Sequence, residues 1–396
     1  MTALTTFDEA VQAVLARARQ LPAERVELAA APGRVLAEPV RAAVDLPPFP
    51  ASAMDGYAVR AGETPGTFPV VFRIAAGLPA PSALASGEAM AIATGGAVPE
   101  GADAVVPIEV VREEGDMLVV PDVVEAGANV RPRGGDVAAG SEVVPAGARL
   151  GAAQIGAVGA AGVREVSCAR RPRAAVVTTG SELRPPGSQL GPGEIYESNG
   201  AMLAAQLEAA GAEVSAPTVA RDDDDARREA IERGLELDVL ITSGGVSVGP
   251  HDLVRRIERE LGVEEVFWGV AVKPGKPLSF GVRDTTLVFG LPGNPVSSLV
   301  ACALFVVPAI EALQGAAEPG PRFEWGHLAG PVRRDPQRDV FLRALARMSE
   351  HGVALEPVQG QESHMITRAA GANALALVRR GEGDCPAGET VEYLPL

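Results

Sequence analysis

Aromatic side chains are scarce in this chain: Phe, Trp and Tyr together make up 4% of its 396 residues. The cores must therefore rest on Val, Leu, Ile and Ala, for which a hydrophobic share of 47% leaves ample material. Cysteine is scarcer still, with Cys168, Cys302 and Cys385 far apart and no CxxC spacing. That pattern supports neither a disulfide framework nor a thiolate zinc site, and it suits a reducing cytosol. The four histidines, His251, His327, His351 and His364, show neither HxxH nor HExxH spacing, so none is assigned to a metal. Positive charge is also short: 35 Lys and Arg stand against 51 Asp and Glu, a formal net charge of −16. A surface that acidic repels phosphate backbones and anionic lipid heads, which argues against nucleic-acid and membrane partners. An anionic ligand must find its cations gathered locally. Long apolar runs are missing as well. The longest, around VSSLVACALFVVPAI, reads as shorter than a membrane span, contains Pro308 and is expected to be a buried helix. The amphipathic start carries Asp8 and Glu9 early, unlike a signal peptide. A soluble, cytoplasmic protein is expected.

Glycine (45) and proline (33) are abundant, which points to many turns and stiff loops. The length predicts two to four compact units. Residues 6–20 read as a helix, with Asp8 in the first turn and Val11, Val14 and Leu15 on one face. From 46 to 135 the texture becomes short β-like runs between Gly and Pro (FPVVFRI, EAMAIAT, ADAVVPIEVV, DMLVV), a mostly β module. Residues 136–170 are rich in Gly, Ala and Val, and their pattern fixes no topology. The stretch 172–315 alternates strands and helices. AAVVTT, AEVSAPTVA, DVLIT, VEEVFWGVAV and TTLVFG read as strands. SNGAMLAAQLEAAG (capped by Ser198 or Asn199), DDARREAIERGL, HDLVRRIEREL and PVSSLVACALFVVPAIEAL read as helices. That order predicts a doubly wound α/β domain with a mainly parallel sheet. After EPGP, short β runs return to the C-terminus.

Ligands of open α/β sheets sit outside the carboxyl ends of the strands. Here AAVVTT runs into TTGSEL, DVLIT into TSGGVSVGPHD, and TTLVF into GLPGNPVSS. Glycine lets backbone N–H groups approach a ligand, and helix N-termini attract anions. One such loop is more often a plain turn; three on one edge favour a ligand site. No GxGxxG follows a strand, and KPGKPLS lacks the spacing of a P-loop. Lys273 and Lys276, held on a short turn by two prolines, are either an oxyanion clamp or two solvated surface lysines. Glu182, Asp222 and Asp252 follow three different strands and could converge on a hard divalent cation. Taken singly, Asp222 belongs to a solvated helix start, Asp252 is a first-turn dipole partner, and Asp55 in SAMDGYAVR is a turn-former or a placed acid.

The segments PFPASAMDGYAVR, ATGGAVPEGADAVVPIE, TTGSEL, IYESN, TSGGVSVGPHD, VKPGKP, GLPGNPVSS and QESHMITRAAGANAL, in this order, resemble the molybdopterin molybdenumtransferase family, also called MoeA and similar to the gephyrin C-terminal region. The resemblance implies an elongated homodimer of four-domain subunits. The domains would be 1–45 with 136–170, an inserted β-rich unit at 46–135, a molybdopterin-binding-like α/β domain at 171–316, and a C-terminal β domain at 317–396. It implies insertion of molybdenum from molybdate into adenylyl-molybdopterin with Mg²⁺, forming molybdenum cofactor and AMP. The protein partners implied are the molybdopterin adenylyltransferase and molybdoenzyme acceptors. Carried over by motif, Asp55, Thr94, Glu182, Asp222 and Asp252 are catalytic, the last three as metal ligands. Ser243, Gly244, Gly245, Ser247, Lys273, Lys276, Pro292, Asn294, Pro295, Ser297, Arg343 and Ser363 bind substrate, with Arg338 competing for the arginine role. Gly269 stands where some members carry a further lysine, and QESHM replaces the more usual QGS. A receptor-clustering scaffold, or the adenylyltransferase that makes the substrate, are the other classes this fold could serve. The latter would not need the SAMDGYAVR module.

Overall fold

A computed structural model describes residues 4–220, 223–245 and 253–396. Its centre is a mixed sheet with strands in the order Glu213–Val214, Arg173–Thr179, Val239–Ser243, Thr286–Leu291, Ser279–Arg283 and Glu264–Trp268. The first four run parallel and the last two pair antiparallel. Alternation along the strands fills both faces, as a period of two residues requires. Ala174, Val176, Val239, Ile241, Leu287 and Phe289 face one core, under the helices Asn199–Ala209 and Pro295–Leu313. Ala175, Val177, Leu240 and Val288 face the other, under Asp224–Gly234 and Leu253–Glu260.

Two strands differ from the sequence pattern. AEVSAPTVA splits into Glu213–Val214 and Thr218–Ala220, both paired with the 173–179 strand; Pro217 between them has no N–H to continue a ladder. VEEVFWGVAV ends at Trp268, because Gly269 turns the chain at φ +85°. Val272–Lys273 then joins the C-terminal sheet. Ser198 is the N-cap of the 199–209 helix but makes no side-chain cap bond. The carboxylate of Glu197 accepts the Gly200 N–H instead, at 2.8 Å.

The helix Phe7–Leu15 starts on a capping box between Thr6 and Glu9. Its inner face, Phe7, Ala10, Val11 and Val14, enters the core of the α/β unit, where the Phe7 ring meets Phe305 and Phe341 edge-on. Farther along, Ala23–Glu27 pairs with Glu165–Ala169, and Val40–Arg41 with Glu142–Val144. Residues 51–52 and 130–131 pair where the chain enters and leaves the β module. That module is a six-stranded sheet centred on Ala89–Ile92 and Gly66–Ile74. The C-terminal strands close into a barrel, because Asp339–Ser349 pairs with both Gly352–Pro357 and Ala374–Val378.

The run expected to fall short of a membrane span forms a 19-residue helix, Pro295–Leu313, that is long and apolar enough to cross one. It is a core helix, 72% buried. A π-helical turn at Cys302–Val306 carries it past Pro308, which has no N–H for the regular ladder.

Candidate functional site

The three glycine loops meet at the carboxyl ends of neighbouring strands. The Gly244 N–H donates to the Leu291 carbonyl at 3.1 Å. Gly244 sits at φ +96°, and a Cβ there would lie 2.7 Å from the Thr179 carbonyl oxygen. Only glycine lets the TSGG backbone pass so close to the TTGSEL strand end. On the other side, a Cβ on Gly293 would sit 3.6 Å from the Gly244 Cα, so the GLPGNP loop packs directly on TSGG. Buried Ser243 locks this junction. Its hydroxyl accepts from Asn199 Nδ2 at 3.0 Å and donates to the Pro292 carbonyl at 3.3 Å. Asn199 Nδ2 also donates to the Gly293 carbonyl at 2.8 Å, so Asn199 ties loops together.

Between the first two loops lies a cleft of about 430 Å³, lined in part by Thr179, Gly180, Glu182, Arg227 and Gly245. Glu182 is exposed, and its carboxylate lies over Gly180, 2.7 Å from where a Cβ would stand. Asp222, Asp252 and Ser247 lie outside the described residues. Among the described residues no three His, Cys, Asp or Glu side chains form a metal-binding group. Glu182 suits a hard cation as one oxygen ligand, since no Lys or Arg among the described residues pairs with it.

A second cluster surrounds the N-terminus of the 295–313 helix. Pro295 is its first residue, where a missing N–H costs nothing. The VKPGKP turn abuts this helix, with a Cβ on Gly275 placed 3.7 Å from the Ser297 carbonyl. Lys276 is exposed. Lys273 is 55% exposed and lies 3.9 Å from Asp335, which also pairs with Arg338 at 2.7 Å. From the barrel, Ser363 accepts the Asn294 Nδ2 hydrogen at 2.9 Å, and its carbonyl accepts the Val296 N–H at 3.1 Å. Arg343 is 1% exposed. Its guanidinium donates to the carbonyls of Gly360 at 2.8 Å and Met365 at 3.1 Å, pinning the loop that carries Ser363. Burial lowers the Arg343 pKa, against the pull of Glu362. Gly269 stands at φ +85°, where an L side chain is strained, and a Cβ there would meet the tip of the Leu4 side chain at 2.9 Å.

Asp55 and Thr94 form a separate pair on the β module. One Asp55 oxygen accepts both the Thr94 N–H at 2.6 Å and its hydroxyl at 2.7 Å. These bonds hold the carboxyl below its usual pKa. Among the described residues neither side chain bonds to the α/β unit. Gly56 beside them is obligatory, because a Cβ would fall 2.0 Å from the Val106 carbonyl oxygen.

Comparison with known proteins gives this arrangement a family. Three family models match in chain order: MoeA N-terminal region (domain I and II) over residues 5–162, probable molybdopterin binding domain over 175–312, and MoeA C-terminal region (domain IV) over 326–396. A molybdopterin molybdenumtransferase of Haemophilus influenzae is 33% identical over 403 residues, covering 99% of each chain. The chain belongs to the MoeA family of molybdopterin molybdenumtransferases. A Staphylococcus aureus molybdopterin molybdenumtransferase is 31% identical over 98% of this chain and 94% of its own. The crystal structure of a molybdopterin biosynthesis MoeA protein from Pyrococcus horikoshii OT3 superposes with a TM-score of 0.85 at 28% identity, covering 99% of this chain and 100% of that one. This MoeA enzyme is thus a transferase of molybdenum cofactor biosynthesis. Sequence reasoning missed Asn199 and Arg227 in its site region. Asn199 was read only as a helix cap, and Arg227 was hidden in a highly charged helix. The available signal for Arg227 was its place on the inward stripe with Ala230, Ile231 and Gly234.

Proposed function

We propose that this MoeA enzyme inserts molybdenum from molybdate into adenylyl-molybdopterin, releasing AMP, with Mg²⁺, as a cytoplasmic homodimer. One observation carries the reading. The 291–297 segment touches both the TSGG loop that borders the cleft, through Gly293 and Gly244, and the helix N-terminal cluster, through Ser297 beside Gly275 of the VKPGKP turn and Asn294 bonded to Ser363. A phosphate-bearing substrate and an oxyanion can therefore be held side by side. In a chain of net charge −16, the two lysines and the helix dipole supply the local positive potential that a molybdate dianion needs. Ser297 and Ser363 add hydroxyl donors, while Arg343 acts by fixing the Ser363 loop. Pro292 and Pro295 stiffen the loop, and Asn294 joins it to the barrel.

Glu182, with Asp222 and Asp252, would hold Mg²⁺, which when bound supplies Lewis-acid neutralisation of phosphoanhydride charge. Cleavage is by attack of water, or of a molybdate oxygen followed by water, on the adenylyl phosphorus; the P–O–P bond breaks, giving AMP and leaving the other phosphate on molybdopterin. Gly244 and Gly245 bring backbone close to that phosphate, and Ser243 sets their position. The lowered Asp55 pKa makes it a poor general base at neutral pH, so Asp55 and Thr94 serve as a fixed acceptor and donor for the substrate.

The dimer reading draws support from a groove of about 980 Å³ lined by half-buried Leu299 and Val307 of the apolar helix and by exposed Leu396. A second copy would cover this face and bring its own Asp55 and Thr94 to the cleft. Three free, buried cysteines suit a reducing compartment. The test is AMP release from adenylyl-molybdopterin by the purified full chain. Release that requires molybdate is expected; release at the same rate without molybdate, or none with it, overturns the reading.

A further inference from the structure

One side chain ties together the two loops that the reaction needs at a fixed separation. Asn199 opens the Asn199–Ala209 helix, whose Leu203 and Leu207 are fully buried in the α/β core. The Glu197 carboxylate, accepting the Gly200 N–H, fixes where that helix starts, so Asn199 stands on a rigid base. An amide nitrogen carries two hydrogens. Asn199 Nδ2 donates to the Ser243 hydroxyl at 3.0 Å and to the Gly293 carbonyl at 2.8 Å. A carbonyl only accepts, so the amide nitrogen and not its oxygen must face Gly293. Buried Ser243 passes its own hydrogen on to the Pro292 carbonyl at 3.3 Å, and buried Ser298 donates to the same carbonyl. Two successive carbonyls of the GLPGNP loop are thus held by side chains of the 199–209 helix, the TSGG loop and the 295–313 helix. The next residue, Asn294, donates to Ser363 Oγ at 2.9 Å. The line of bonds therefore runs from the TSGG loop to the oxyanion cluster, and Asn199 closes its first step. The Gly244 N–H bond to the Leu291 carbonyl does not involve Asn199. Loss of the amide should let the loops shift without letting them part.

We propose that Asn199 is a positioning residue for molybdenum insertion, setting the separation between the adenylyl-phosphate loop and the oxyanion cluster and thereby the rate of turnover, not the affinity for either substrate. This rests on those two sites being the ones proposed above. Asn199 acts through Ser243 and the Pro292–Gly293 backbone, with no contact to either anion required. Misplacing reacting groups by on the order of 1 Å costs about a hundredfold in rate, whereas each anion keeps the groups of its own loop. Asn199→Asp is the sharpest perturbation. Its size is the same, but the two donors give way to an acceptor that would face the Gly293 carbonyl.

The test is single-turnover AMP release from adenylyl-molybdopterin by the full-length wild type, Asn199→Ala and Asn199→Asp, over a range of both substrate concentrations in Mg²⁺. The single-turnover rate constant does not depend on the fraction of active protein, so partial unfolding cannot imitate the effect. Both variants should be slower by about tenfold to a hundredfold. The half-saturating concentrations of molybdate and adenylyl-molybdopterin should stay at their wild-type values, the signature of an effect confined to the reacting geometry. Either variant carries the test if the other does not fold. Combining Asn199→Ala with Ser243→Ala should lose less than the product of the two single losses, because both act at one junction. Wild type that releases no AMP sinks the proposed function and this role with it. Active wild type with folded variants of equal rate overturns the role of Asn199 alone. A half-saturating concentration that rises as far as the rate falls also overturns it, since that marks a substrate contact. Fully multiplicative losses in the double variant overturn the shared junction and the role built on it.

Discussion

Replacing Gly244 by alanine should damage this enzyme far more than replacing Gly293, although both glycines sit in the same pair of loops. At Gly244 the added Cβ would lie 2.7 Å from the Thr179 carbonyl oxygen and 2.9 Å from its hydroxyl, with φ at +96°. The contact is with backbone of a central strand, which cannot swing away. An L-residue in that conformation costs about 1–3 kcal/mol, and overpacking of this kind adds about 1–3 kcal/mol. The α/β unit should therefore lose about 2–6 kcal/mol unless the TSGG loop moves; a shift on the order of 1 Å would cost about a hundredfold in turnover. At Gly293 the same Cβ finds only the Gly244 Cα, at 3.6 Å, an ordinary contact. Gly293→Ala should be neutral, or more stable by about 0.4–1 kcal/mol through a less flexible unfolded chain. The assay is urea unfolding followed by fluorescence, since Trp268 lies in the edge strand of this sheet, together with molybdate-dependent AMP release. If Gly244→Ala unfolds and turns over like wild type, the crowding argument at the loop junction is wrong. If both variants lose the same stability, the contrast drawn from the geometry fails.

Three further outcomes are expected. Lys273→Ala and Lys276→Ala should each raise the molybdate concentration for half-maximal rate about tenfold or more, the loss of one charge-assisted contact; unchanged dependence in both would make them surface lysines. Asp238 is pushed up by burial, but the two-pronged hydrogen bonds of Arg170 and the Arg173 N–H more than reverse this and leave its pKa lowered. Its stabilisation is thus present above the unfolded carboxyl value near about pH 4 and is lost as pH falls through the folded value. Asp238→Asn should cost about 1–2 kcal/mol at pH 7, with the gap to wild type closing below about pH 4; a gap that stays constant with pH would contradict the pairing. Finally, inactive Asp55→Ala and Glu182→Ala chains should complement when re-assorted. One cleft of each mixed dimer would be intact, and half the dimers would be mixed, so about a quarter of wild-type activity should return. Mixed dimers that pull down together yet stay inactive would place both residues in one chain's site.

The amino-acid sequence by itself determined the alternating core of the α/β domain, because a strand buried on both faces must be apolar without interruption. It also determined the loop edge, because glycine at a strand's carboxyl end has few other uses, and its motifs carried the family. Only the tertiary structure decided what those pieces meet. The 7–15 helix shows an apolar stripe but not its partner, which is Phe305 and Phe341, some three hundred positions along the chain. Val272 and Lys273 continue a β pattern, yet their hydrogen bonds go to the barrel, since a left-handed glycine breaks the strand before them. Arg343 matches a substrate-binding position, and its Nη1 and Nη2 donate to carbonyls of the 360–365 loop, contacts made across a barrel closure that no local pattern encodes. Arg227 and Asn199 have the same cause. A side chain's period tells which face it lies on, and only folding brings the distant backbone or charge that decides whether that face is packing or site.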